Sequence, residues 1–127
     1  MQAFLYIDLA ANNAYRKPVV ELVQKALPTV TVLDLDSRSD ELLQHYALRL
    51  LREAERTVVC IKADDGAAGL GNLMPLLEEL FQEGRQRLVL LQGEHPRLQR
   101  IFSVRPHVAF KAVGAGEVPA EVSAFLL

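Results

Sequence analysis

The sequence predicts an α/β fold: one three-layer domain built on a five-stranded parallel sheet in the order 2-1-3-4-5. Three observations predict it. Short apolar, β-branched runs alternate strictly with amphipathic helical stretches, five of each. The strands follow one another through helices rather than tight hairpin turns, which makes them parallel with right-handed crossovers. The chain has 127 residues, half of them hydrophobic, which suits one domain over 1–127 with a substantial core.

The elements follow in order. Ala3 to Ile7 (AFLYI) forms the first strand and ends at Asp8. Asn12 and Asn13 sit in the next loop as turn or cap residues. Val19, Leu22, Val23, Ala26 and Leu27 recur at i, i+3, i+4, i+7 and i+8, predicting a helix with one apolar face. Pro18 fits its first turn and Pro28 stops it. Thr29 to Leu35 (TVTVLDL) is the second strand, closing among Asp34 and Asp36. Ser37 and Asp40 resemble a capping box. Leu43, Tyr46, Ala47, Leu50, Leu51 and Ala54 then hold helical spacing for three turns.

Thr57 to Ile61 (TVVCI) is the third strand, apolar enough to be buried on both faces. It breaks into Lys62, Asp64 and Asp65, then Gly66, Gly69 and Gly71. Asn72 is placed to cap the next helix, with Pro75 in its first turn. That helix has a core face of Leu73, Leu76, Leu77, Leu80 and Phe81, and Gly84 as its stop. Arg87 to Leu91 is the fourth strand, ending at Gln92-Gly93-Glu94-His95. Pro96 opens a short helix with Leu98, Ile101 and Phe102 inward, and Pro106 ends that connection. His107 to Val113 is the fifth strand, followed by a turn at Gly114 and Gly116. Pro119 to Leu127 is the last helix, with Val122, Phe125 and Leu126 on one side.

The formal charge is −2, from 14 Lys plus Arg against 16 Asp plus Glu, with no polybasic run. That balance supplies no field to hold a nucleic-acid backbone, so nucleic acid is not an expected partner. No apolar run approaches the length needed to cross a bilayer, and Asp8 interrupts the first one before it could serve as a signal peptide. The expectation is a cytoplasmic protein with no membrane partner. The lone cysteine, Cys60, lies inside the third strand and reads as a core residue rather than a nucleophile or ligand.

Ligands of open α/β sheets bind beyond the carboxyl ends of the strands, at the point where strand order reverses. The ordering above collects charge there. The candidate ligand-binding residues are Asp8, Asp36, Asp64, Asp65, Gly66, Glu94 and Lys111. Carboxylates brought together in this way can hold Mg²⁺, which prefers oxygen ligands. They can equally cap the helices that follow each strand. The glycine spacing GxxGxG is neither a dinucleotide fingerprint nor a phosphate loop, and the scattered His45, His95 and His107 have no zinc spacing.

The strand order is flavodoxin-like, and the layout resembles two families of signalling domain. It resembles the response-regulator receiver domain over the whole chain. Asp8, Asp64 and Lys111 fit the positions of its first-strand acid, its phosphoryl-accepting aspartate and its fifth-strand lysine. That resemblance implies Mg²⁺ at Asp8 and Asp64. Here Asp8 is followed by Leu9 rather than a second acid, strand 4 ends without a hydroxyl, and Lys111 is followed by Ala112 rather than proline. It also resembles the TIR-like domain, whose enzymatic members place a catalytic glutamate on the helix after strand 3. Glu78 and Glu79 occupy that helix, but the chain has no tryptophan and lacks the Ser-x-x-Trp approach.

A complete fold pattern with incomplete catalytic patterns leads to the expectation of a small non-catalytic α/β binding or signalling module with no cofactor. A receiver-like Mg²⁺-binding domain and a TIR-like nucleotide-processing enzyme are the alternatives. The expected partner is a protein or a second copy of the chain. Val122, Phe125, Leu126 and Leu127 run to the last residue, and an apolar helix of that kind must cover the sheet or meet another subunit, by default as a homodimer.

Overall fold

The computed structural model describes residues 2–9, 18–36, 41–63, 73–82 and 86–126. The elements in chain order are β1 (Gln2–Asp8), α1 (Pro18–Ala26), β2 (Thr31–Asp36), α2 (Glu41–Glu53) and β3 (Arg56–Ala63), then α3 (Met74–Leu80), β4 (Gln86–Gly93), α4 (Pro96–Ser103), β5 (Ala109–Val113) and α5 (Val118–Leu126). A 3₁₀ turn at Ala115–Glu117 leads into α5. All five strands are parallel and form one sheet in the order β2-β1-β3-β4-β5, a flavodoxin-like arrangement.

The pleat divides the apolar residues between two cores. Leu5 and Ile7 of β1, Val59 and Ile61 of β3, and Val89 and Leu91 of β4 face Ala47 and Leu51 of α2, Leu76, Leu77 and Leu80 of α3, and Leu98 and Phe102 of α4. Phe4 and Tyr6, Val58 and Cys60, and Leu88 and Leu90 face Val19, Val20 and Val23 of α1 and Val118, Val122 and Leu126 of α5. A slip of one residue would exchange the two sets, so burial on both sides fixes the register.

At the amino edge a buried arginine ties three elements together. The Arg87 guanidinium, at the start of β4, donates to the Leu51 carbonyl of α2 at 2.9 Å and to the Glu79 carbonyl of α3. It also meets the Glu79 carboxylate at 3.1 Å, and Arg52 of α2 reaches the other oxygen at 3.4 Å. The cation thus takes up carbonyls near the ends of two helices, where cations are favoured. Phe81 meets Phe102 edge-to-face, Phe102 stacks on Phe110, and Arg105 lies 4.0 Å over the Phe81 ring.

Several expectations are adjusted. In α1 the buried face is Val19, Val20 and Val23, with Leu27 just beyond, while Leu22 is exposed; the short helix turns it outward. Tyr46 of α2 is also largely exposed. β5 begins at Ala109 rather than His107, because His107 is drawn into a turn where its Nε2 meets the Phe81 carbonyl at 2.8 Å. The last helix covers the sheet: Val118, Val122 and Leu126 are buried within the chain, and the Gln2 side chain donates to the Leu126 carbonyl. The expected cap residues Ser37, Asp40 and Asn72 and the stop at Gly84 lie outside the described residues.

Two stability predictions follow from this packing. Leu51 is 1% exposed, so Leu51→Ala should cost about 2–5 kcal/mol in a denaturant melt. Arg87→Ala leaves two carbonyls and one Glu79 oxygen without the buried cation and should cost about 3–5 kcal/mol, against less than ~1 kcal/mol for the exposed Arg52→Ala. Equal small losses for the two arginine variants would show that the Arg87 contacts do not hold the helices to the sheet.

Candidate functional site at the carboxyl edge of the sheet

β3 and β4 each run two residues further than their apolar cores suggest, reaching Ala63 and Gly93. Lys62 and Gln92 are therefore strand residues. Asp8 is the Cα partner of Asp36 on one side and of Lys62 on the other, and Lys62 in turn pairs with Gln92. Because side chains alternate along a strand, Asp8, Lys62 and Gln92 share the face of Tyr6, Cys60 and Leu90, which is the face covered by α1 and α5. Adjacent strands lie about 4.8 Å apart, so these three side chains leave the sheet as direct neighbours.

The row one step back runs Asp34, Tyr6, Cys60, Leu90 and, on β5, Lys111. The Tyr6 hydroxyl donates to Gln92 Oε1 at 3.4 Å, crossing over β3 to link the two rows. Asp8 is fully buried, while Lys62 and Gln92 are half-buried. The Leu9 amide donates to the Lys62 carbonyl at 2.8 Å and carries the β1–β3 pairing one residue beyond the strand. Apolar side chains such as Phe4, Val58 and Leu88 thus give way to a carboxylate, an ammonium, a carboxamide and a phenol at the last turn of the pleat.

The environment raises two acids. Burial pushes the Tyr6 phenol well above its ordinary value, and Cys60, Asp8 and Asp34 add to the shift through their charge. Burial alone pushes the Cys60 thiol up to about 12. A thiol held protonated in this way is no nucleophile, so Cys60 is a core residue.

The end of β4 presses close against β3. Gly93 has φ +105°, and a Cβ there would lie 2.0 Å from the Ala63 carbonyl oxygen, so only glycine fits. Of the residues expected at this edge, Asp8 is in place, and Asp36 is its backbone partner in register, with its side chain outside the described part. Glu94 is exposed beside Gly93. Asp64, Asp65 and Gly66, with Gly69 and Gly71, lie outside the described residues.

Lys111 is not brought to the site. It stands on β5, three strands from β1, and its Nζ donates to Glu121 of α5 at 3.0 Å. Glu79 is occupied at the opposite edge by Arg87 and Arg52, and Glu78 is exposed. The residues that sequence reasoning left out are Lys62, Tyr6 and Gln92. Their signal was parity: each lies an even number of positions from a residue on the α1/α5 side of its strand.

A cleft of about 210 Å³ lies between α2 and α3, lined by Glu41, Gln44, His45, Leu48, Pro75 and Leu76. Among the described residues no group of three or more His, Cys, Asp or Glu is arranged to hold a metal, and no helix is long and apolar enough to cross a membrane. No protein-family model matches the chain, and no curated protein matches it.

The buried acids set a pH dependence. An unfolded cysteine loses its proton near ~8.5, whereas native Cys60 holds it up to about 12. Between those values the unfolded state binds fewer protons, so stability falls as pH rises. Urea melts at pH 8, 9 and 10 should show this decline, with a slope approaching ~1.4 kcal/mol per pH unit from the thiol, and Cys60→Ala should flatten it. An unchanged slope in Cys60→Ala would place the alkaline sensitivity elsewhere.

Proposed function

We propose that this chain is a small α/β binding or signalling module that recognises its partner at the carboxyl edge of the sheet, on the side covered by α1 and α5, and does not turn over a substrate. The observation that supports this reading is the row Asp8–Lys62–Gln92 on three adjacent central strands. Lys62 is the register partner of Asp8, so the strand beside this buried carboxylate carries a cationic side chain on the same face. The row offers an acceptor, a cationic donor and a carboxamide that both donates and accepts, with the Tyr6 hydroxyl alongside. Those groups suit recognition of a polar ligand or peptide rather than activation of a nucleophile. Lys111, which a phosphoryl-accepting site would draw on, is held by Glu121.

A second reading has its own support. Asp36 is the direct register partner of Asp8, so β2 supplies an acid next to Asp8 where the chain after β1 supplies Leu9. Such a pair favours a receiver-like domain that binds Mg²⁺ with Asp64.

A Mg²⁺ titration followed by amide chemical shifts separates the two. The binding-module reading expects no saturable shift at Asp8, Lys62 or Leu9 up to about 10 mM Mg²⁺. A saturable shift at those amides that Asp8→Asn abolishes would overturn it in favour of the receiver-like domain.

A further inference from the structure

We propose that His95 is a proton-operated latch on the first turn of α4, which loosens the β4–α4 junction when the imidazole is protonated. His95 is the N-cap of α4: its backbone is extended, with φ −152° and ψ 91°, and its side chain accepts a hydrogen bond from the Leu98 amide. The Leu98 nitrogen stands 3.2 Å from Nδ1. A ring nitrogen accepts only when it carries no proton, so this contact requires the neutral imidazole with its hydrogen on Nε2. Protonation converts the acceptor into a donor facing a donor. It also places a cation at the positive end of the helix dipole.

The usual N-cap residues are Asn, Asp, Ser and Thr, which hold their capping oxygen at neutral and mildly acidic pH. Histidine changes charge in that range. The other two histidines do not share this constraint. His107 Nε2 faces the Phe81 carbonyl and can donate to it in either charge state, and His45 lies on α2, 3.6 Å from Glu41 and away from any helix N-cap. Of the charged residues beside this turn, Glu94 precedes His95, Arg97 follows Pro96, Lys62 is the next-to-last residue of β3, and Lys111 on β5 is already on Glu121. Among the described residues none of them makes an ion pair with His95.

The junction passes the change on because it has no slack. Only Glu94 and His95 separate β4 from α4, and Pro96 is the first residue of the helix. Gly93, just before them, is pressed against the Ala63 carbonyl in a conformation only glycine adopts readily. Leu98 and Phe102 are buried, so α4 stays docked and the response is confined to its first turn and the end of β4.

Amide hydrogen exchange on the intact chain tests this. Between about pH 8 and about pH 5 the exchange of Leu98, corrected for intrinsic chemistry, should rise about fivefold or more relative to Phe102, the size expected for loss of one side-chain cap. His95→Asn keeps a cap without the titration and should flatten that profile. Imidazole ¹⁵N shifts at pH 8 supply the second readout and should show the proton on Nε2. A wild-type Leu98 profile that matches His95→Asn, or a proton on Nδ1 at pH 8, would overturn the latch.

Discussion

The two-residue period of parallel strands held in register governs this molecule. Neighbouring residues along each strand face opposite sides, and register partners on adjacent strands face the same side. With both faces covered by helices, no strand can slip without exchanging its inward sets. Phe4, Val58 and Leu88 therefore belong to one core, and Leu5, Val59 and Val89 to the other. The same rule, continued to the ends of the strands, puts Asp8, Lys62 and Gln92 side by side. The apolar core and the polar edge are products of a single geometric constraint.

Charge is used differently at the two edges. At the amino edge, Arg87 meets a carboxylate and two helix carbonyls, and every contact is within the fold. That arrangement is a clamp: removing one partner leaves buried groups stranded. At the carboxyl edge, buried Asp8 stands beside the half-buried Lys62 and Gln92, so the polar row grades from interior to solvent. A grading of that kind gives a ligand access to groups whose positions are fixed by the strands. Lys111 and Glu79, which the sequence associates with chemistry, both belong to intramolecular pairs, Glu79 at the opposite edge and Lys111 out on β5.

The fold was legible because its signals are local and redundant. Alternating apolar strands and helices with short connections admit few topologies, and the order 2-1-3-4-5 is the one present. Asp8 was legible for the same reason, as the first polar residue after an apolar strand. Lys62 and Gln92 were hidden because a charged or amide residue after an apolar run reads as the start of a loop, whereas backbone pairing carried both strands past it. Lys111 misled because sequence position gives the strand but not the partner: Glu121 lies ten residues on, across a turn into α5. The role of His95 was invisible, since its capping contact depends on a φ, ψ pair and a ring orientation.

The central claim is that the carboxyl edge on the α1/α5 side is where this chain meets its ligand. Its most direct test is to screen small polar fragments against the ¹⁵N-labelled chain and map the shifted amides. The account predicts that binders shift Tyr6, Asp8, Lys62 and Gln92 together, and that Lys62→Met weakens them. Binders that gather instead on Gln44, Leu48 and Leu76 in the α2–α3 cleft, with the strand ends unmoved, would contradict it.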